Sequence, residues 1–343
     1  MPETSENNKV LTIAAWIIVL VLAGLVLRAA KSVLFPFFLA LMFYFVLSPA
    51  LEGLSRLKIP RAVSIIFIIA IFFLAFYLLG ILVYSSGKSF ATEFPKYGQK
   101  INSLTATLRE SVKLKGISWD KITSMEGLDL NKIGSFLLSS LGTFFSFLAN
   151  LFLVLIFLVF MLAGRGNLKI KIERSFNQAR SSKINCIIDN IDRKIQKYLA
   201  IKTIICLISG VLATLVLVIF GVNFAILFGF LTFLLNYIPN IGSLVATVLP
   251  PLVALVQFDN PWRAVWILAI LIIFDAVVAN ALEPKLMGKG LGLSPLAVLF
   301  ALFFWGWLWG IPGMILAVPI VAVLKIVCNN IPSLKFLAAL MSK

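Results

Sequence analysis

The sequence predicts an all-α polytopic membrane protein with about eight transmembrane helices, two of them broken or re-entrant in the C-terminal half. Three observations carry this expectation: an apolar excess that no water-soluble globule can hold, uncharged runs of bilayer length, and two late runs cut by proline and glycine. Apolar residues fill 61% of the 343 positions, charged residues only 13%, and mean hydropathy is +1.05. A soluble domain carries about 45–50% apolar and roughly 25% charged residues, because its surface must be wetted. Lipid is the solvent that removes the contradiction.

The elements follow in order. Val10–Leu27 runs for 18 residues without a charge, close to the roughly 20 that a crossing helix needs. Its leader holds Glu3, Glu6 and one lysine, which reads as a retained span rather than a cleaved signal. Val33–Leu51 and Ala62–Val83 follow, so that residues 1–84 form a tail and three spans. Residues 85–134 break the pattern. Phe90, Phe94, Tyr97, Ile101, Leu104, Leu108 and Val112 recur every three or four positions with Lys100, Arg109, Glu110 and Lys113 between them. That spacing gives an amphipathic helix packed on its own domain, on membrane lipids, or on a second copy in a homo-oligomer.

Residues 135–163 hold a fourth span, Phe136–Leu162, which carries Asn150. Residues 164–202 form a basic cytoplasmic segment with ten Lys/Arg against three acids between Arg165 and Lys202. Its Ile184, Ile187, Ile188, Ile191, Ile195 and Tyr198 mark a helical stripe that runs into the fifth span, Thr203–Phe220. Residues 203–329 form a C-terminal core, and 330–343 a short amphipathic tail. With the N-terminus inside, inner polar segments up to Lys202 carry fourteen basic residues and outer ones ten. The bias favours a cytoplasmic N-terminus in a bacterial inner membrane.

Composition also excludes. There is no histidine, so imidazole metal sites, Ser-His-Asp triads and histidine relays are absent. Cys186, Cys206 and Cys328 are too scattered for a disulfide framework or a paired-cysteine metal site, and no cofactor or resident metal is expected. The net charge of +16 does not point to nucleic acid, because the basic residues flank apolar spans, where they act as topology signals and anionic-lipid contacts. Gly87-Lys88-Ser89 is not a P-loop, since Leu82 stands where its first glycine belongs. No second membrane carboxylate pairs with Asp275 as a protease dyad would require. The chain is therefore not expected to be an enzyme or an ATP-driven pump.

The C-terminal runs carry the functional signal. Phe224–Asn236 is 13 residues, too short to cross untilted, and it ends in Asn236-Tyr237-Ile238-Pro239-Asn240-Ile241-Gly242-Ser243. Pro239 removes a donor and Gly242 loosens the backbone, so the helix should break inside the membrane. Broken backbone at that depth is tolerated only when buried in protein or lining water. Leu296–Val327 repeats the design over 32 residues, interrupted at Gly306, Gly310, Pro312 and Gly313. Paired interrupted helices point to a transporter site; the plainer reading is two kinked packing helices. Between them, Ala264–Leu282 carries Asp275, with Asn280 and Glu283 near its end. On a 3.6-residue period Asp275 and Glu283 lie about 80° apart. An ionisable group this deep faces a cavity or a partner.

These same residues resemble the AI-2E (autoinducer-2 exporter) family. The resemblance rests on Asn236–Ser243 followed by Pro250-Pro251, on Glu283-Pro284-Lys285-Leu286-Met287-Gly288-Lys289-Gly290-Leu291-Gly292-Leu293-Ser294-Pro295, and on Gly310-Ile311-Pro312-Gly313 with Ala317-Val318-Pro319. It implies export of a small polar signal molecule, with some members associated with sodium or proton exchange. The expected pathway is built by the two broken segments, with Asn236, Tyr237, Asn240 and Ser243 holding a polar solute or dehydrated cation. Asp275 supplies a charge or a coupled proton. A non-transport scaffold for envelope proteins, acting through the polar segments, and a passive channel are the alternatives.

Overall fold

The computed structural model describes residues 24–112, 151–164, 170–287 and 291–342, with single positions between 15 and 22. The described residues are helical, and an isolated bridge, Leu293 with Ser342, is the extended pairing among them. Most of the first expected span, residues 113–134 of the polar insert and residues 136–150 of the fourth span lie outside the described residues.

Five described helices are long and apolar enough to cross a membrane: Lys31–Arg56, Arg61–Ser86, Gln178–Ile219, Pro261–Met287 and Ile311–Asn330. We label the helices α1 (Lys31–Arg56), α2 (Arg61–Val112), α3 (Leu151–Gly164), α4 (Gln178–Ile219), α5 (Ala225–Leu235), α6 (Ile241–Gln257), α7 (Pro261–Val277), α8 (Glu283–Met287), α9 (Pro295–Trp309), α10 (Ile311–Asn330) and α11 (Lys335–Leu340). Two of them outrun the bilayer. The 52 residues of α2 span about 78 Å at 1.5 Å per residue. The third span therefore continues without a break into the polar insert. The 42 residues of α4 likewise carry the basic segment directly into the fifth span.

The chain divides into two compact units. The first comprises Met1–Ile65, Leu151–Leu199 and Gly290–Lys343. Its core is built on Trp309, Leu158, Leu162, Leu302 and Leu316, all essentially inaccessible. Phe37 meets Phe157 edge-on at 5.6 Å, and Phe38 packs on Trp309 at 5.5 Å, which ties α1 to α3 and α9. The Arg61 guanidinium donates to the Leu162 carbonyl at 2.8 Å, placing a cation at the negative end of α3. The Trp309 indole N–H donates to the Leu27 carbonyl at 3.1 Å, which satisfies the one polar atom of a buried ring.

The second unit comprises Ile66–Asn150 and Ala200–Lys289. Its core gathers Ala213, Val216 and Leu217 of α4, Ala225 and Phe228 of α5, Ala254 of α6, and Ala264, Ile267 and Leu271 of α7. Small residues let these helices approach closely. A Cβ on Gly229 would overlap the Thr214 hydroxyl, and one on Gly210 would lie 2.8 Å from the Gly229 carbonyl. In a membrane, where lipid is as apolar as leucine, such close backbone packing is a main source of helix association.

Candidate functional site

Both expected breaks are present, and each folds the chain back on itself. Helix α5 ends at Leu235, and α6 starts at Ile241. Asn240, between them, has φ 62° and ψ −51° and centres a tight γ-turn in which the Ile241 N–H donates to the Pro239 carbonyl at 2.7 Å. A Cβ on Gly242 would overlap the Leu235 carbonyl. Seven residues of continuous helix would hold those groups about 10 Å apart, so α6 must double back over the end of α5. The open end confirms it. The Gln257 side chain donates to the Gly221 carbonyl at 2.8 Å and accepts from the Asn223 N–H at 2.8 Å. The chain thus leaves Gly221, turns near Pro239 and returns to its starting level by Gln257.

Depth follows from this closure. Helix α5 has 11 residues and rises about 16 Å, roughly half of a ~30 Å hydrocarbon core. The hairpin starts and ends at one level, so its tip lies about 16 Å from its base. Helix α7 starts beside the same base, capped by the Asn260 side chain on the Trp262 N–H at 3.0 Å. Asp275 comes 14 residues after Pro261, about 21 Å along α7, at the level of the tip. The Ser243 hydroxyl donates to the Asn240 carbonyl at 3.3 Å within the turn and lies near the Asp275 carboxyl.

Beyond Asp275 the helix widens into a π-turn, Val278–Leu282. One extra residue in a turn retards the helical phase by about 100°, so the roughly 80° between Asp275 and Glu283 shrinks to roughly 20°. The two carboxylates therefore share one face more closely than an ideal helix allows. Glu283 pairs with the Lys202 ammonium of α4 at 2.8 Å, with Lys202 only 7% exposed. Next to Lys202 on α4, Thr203 accepts a hydrogen bond from the Tyr237 hydroxyl at 2.8 Å, which fixes the tip residue Tyr237 against α4. Asn280 donates to the Ala276 carbonyl at 2.9 Å and is exposed.

Asp275 and Asn236 line a cavity of about 30 Å³ that also receives Ser209, Thr232 and Thr247, among apolar neighbours such as Leu271 and Phe274. Among the described residues, the Asn236 amide oxygen and the Ser209 hydroxyl are buried without a hydrogen-bond partner. Of the sequence-predicted residues, Asn236, Asp275 and Ser243 are thus brought together. Tyr237 and Glu283 are held against α4, while Pro239, Asn240 and Gly242 form the turn itself. The hydroxyls of Ser209, Thr232 and Thr247 escaped sequence reasoning, as did Lys202. They lie singly within apolar helices, with no spacing that distinguishes a lining residue from one bonded to its own backbone.

The other break belongs to the first unit. Helices α9 and α10 are joined by Gly310 alone, at φ 77° and ψ −152°, a conformation essentially restricted to glycine. A Cβ on Gly313 would overlap the Trp305 carbonyl, again possible only if the chain folds back. Pro312 sits in the first turn of α10, where its missing N–H costs nothing. At the base, the Lys325 ammonium donates to the Gly292 carbonyl at 2.5 Å and the Leu291 carbonyl at 3.4 Å.

Among the described residues no cluster of His, Cys, Asp or Glu could hold a resident metal. Residues 13–333 match the family described as AI-2E family transporter. The chain is 31% identical to the AI-2 transport protein TqsA of Escherichia coli (strain K12) over 99% of its own length and 98% of the relative's. It is 33% identical to a putative transport protein of Haemophilus influenzae, covering 95% of this chain and 94% of that one. A putative transport protein of Borreliella burgdorferi is 29% identical over 93% and 87%. With two pairs of helices folded back on themselves and a match across nearly its whole length, the chain belongs to the AI-2E family of membrane transport proteins.

Proposed function

We propose that this chain is a secondary transporter of the bacterial inner membrane. It exports a small polar solute of the autoinducer-2 kind and couples that movement to a proton or sodium gradient at Asp275. The observation that carries the reading is the position of the α5–α6 tip. A re-entrant hairpin spends backbone hydrogen bonds inside the apolar layer, and that cost is tolerated only where the freed groups meet protein or water. Here the tip brings Asn236 into a cavity with Asp275 and leaves Ser243 near the Asp275 carboxyl. Discontinuous helices with polar side chains at mid-depth are how secondary transporters bind substrate and coupling ion.

Each residue has a stated part. Asp275 carries the charge that alternates between states. Ser243 orients its carboxyl from the moving tip. The Lys202–Glu283 pair keeps the neighbouring charges neutral, so that Asp275 alone changes net charge in the cavity. The cavity has room for one or two waters, so the hairpin must shift to admit an organic solute. The basic residues of α4 and the α1–α2 turn favour a cytoplasmic N-terminus.

The test is uptake of autoinducer-2 into everted vesicles of cells expressing the chain, with and without an imposed proton or sodium gradient. Gradient-dependent uptake that Asp275→Asn abolishes at equal expression supports the reading. Wild-type uptake that ignores both gradients contradicts it.

A further inference from the structure

We propose that the base of the α9–α10 hairpin binds an anionic phospholipid. Lys325 of α10 and Lys194 of α4 hold its phosphate, and its acyl chains lie on the apolar faces of α9 and α11. The proposal goes beyond the transporter reading and depends on neither its cargo nor its coupling.

The first ground is a pair of like charges. The Lys325 ammonium donates to the Gly292 carbonyl at 2.5 Å and the Leu291 carbonyl at 3.4 Å. Those bonds fix where the ammonium stands and leave its third N–H for another acceptor. Lys194, exposed on the basic half of α4, is close enough for its charge to act on Lys325. Among the described residues neither lysine has a carboxylate partner. Two ammonium groups held near each other without an acid repel, and a phosphate between them turns that repulsion into attraction. Lys202, farther along α4, is different: Glu283 already occupies it at 2.8 Å.

The second ground is level. At the hairpin tip the Trp309 indole meets the Leu27 carbonyl. Helix α9 has 15 residues, so the base lies about 22 Å from that end. Lys325 comes 14 residues after Ile311, about 21 Å along α10, and returns to the level of the base. One turn later Asn329-Asn330 close the apolar run of α10. A lysine this near the end of a span sets its charge among lipid head groups while its stem stays on apolar surface.

The third ground is the surface beside the charges. The Ser294 N–H donates to the Met341 carbonyl at 2.9 Å, and Leu293 bridges Ser342. The end of the chain is thereby seated on the same base. Helix α11 turns Ala338 inward, 2% exposed, and Phe336 and Leu340 outward, 71% and 61% exposed. A short helix that opens on Lys335 and presents large apolar side chains outward suits the membrane interface. Leu296 and Phe300, one turn apart, extend that exposed apolar surface up α9. Cations at the foot of an apolar track match both halves of a phospholipid. Free phosphate would use the cations alone, and a neutral lipid the track alone.

The experiment is native mass spectrometry of the purified full-length chain in detergent micelles. Phosphatidylglycerol and phosphatidylcholine with the same acyl chains compete for it. The wild type should retain phosphatidylglycerol in preference. Lys194→Gln should cut that preference about fivefold, the weight of one juxtamembrane lysine, and Lys194→Arg should keep it. Lys183, also exposed, lies on the same face of α4, about 16 Å away, and Lys183→Gln should change nothing. Phe336→Ser combined with Leu340→Ser should lower retention of both lipids. Lys325→Gln should act as Lys194→Gln does; should it fail to fold, Lys194→Gln decides alone. Equal retention of the two lipids by the wild type overturns the proposal. So do equal losses from Lys183→Gln and Lys194→Gln, which would mark diffuse attraction rather than a site. Displacement of phosphatidylglycerol by an equal concentration of inorganic phosphate would make the occupant a soluble anion and overturn it too.

Discussion

The two hairpins use one device for different purposes. Each starts after a glycine in the left-handed region, Gly221 at φ 70° and Gly292 at φ 63°. Each turns where a glycine crosses the carbonyl of an earlier helix, Gly242 on Leu235 and Gly313 on Trp305. Each is closed at its base by one long polar side chain, Gln257 or Lys325. The tips differ. The α5–α6 tip carries Asn236, Asn240 and Ser243 and lies near a carboxylate, whereas the α9–α10 tip is Gly310-Ile311-Pro312-Gly313 beside Trp305 and Trp309, whose rings lie 4.8 Å apart at a tilt of 50°. A broken helix is thus not a site in itself. Polar side chains at the break make it one, and the α9–α10 hairpin reads as a packed structural element.

If that contrast is right, the largest effect lies at Asp275. Asp275→Asn should lower gradient-driven uptake at least tenfold with unchanged expression, whereas Pro312→Ala in the α9–α10 tip should keep uptake within about twofold. Equal losses from both would erase the distinction between the hairpins.

Next in size are the glycine crossings. Gly242→Val and Gly313→Val each drive a side chain into backbone that cannot yield, at a cost of about 3 kcal/mol. Both should lower the melting temperature of the purified protein by several degrees. A silent Gly242→Val would mean that α6 does not double back over α5.

Breaking the Lys202–Glu283 pair comes third. Lys202→Met leaves Glu283 partly buried and unpaired, at about 2 kcal/mol given its residual contact with solvent. Adding Glu283→Gln to Lys202→Met should restore most of the lost melting temperature. An additive double variant would show that the two charges are not coupled.

The smallest effects belong to the base closures. Gln257→Leu removes two neutral hydrogen bonds and Lys325→Met two charge-assisted ones, each worth about 1–2 kcal/mol in total. Lys325→Met should be the more damaging of the two in thermal unfolding. The reverse order would show that the α5–α6 base, not the α9–α10 base, carries more of the stability.

Much of this was legible in the sequence, because proline and glycine act locally. Pro239 with Gly242, and Gly310 with Pro312 and Gly313, announce interruption wherever they fall in an apolar run. Return of the chain was not legible. It depends on Gln257 reaching a carbonyl 36 positions earlier, and a glutamine after an apolar run looks like any helix end. The close alignment of Asp275 with Glu283 on their shared face was not legible for a related reason. Regular periodicity gives about 80°, while the π-turn at Val278–Leu282 re-phases the helix, and no residue in Val-Ala-Asn-Ala-Leu signals it. Lys202 read as the last residue of a basic stretch, because its partner lies 81 positions away. Lone hydroxyls such as Ser209 carry no pattern at all.

The most direct measurement of the central claim is solvent access to the α5–α6 tip. In a background with Cys186, Cys206 and Cys328 replaced, Ser243→Cys should react with a membrane-impermeant thiol reagent from one side of the membrane. Leu252→Cys, on the exposed apolar flank of α6, should stay unreactive from both. A Ser243→Cys protein that is expressed and folded but refuses the reagent from either side would contradict a hairpin tip that meets water beside Asp275.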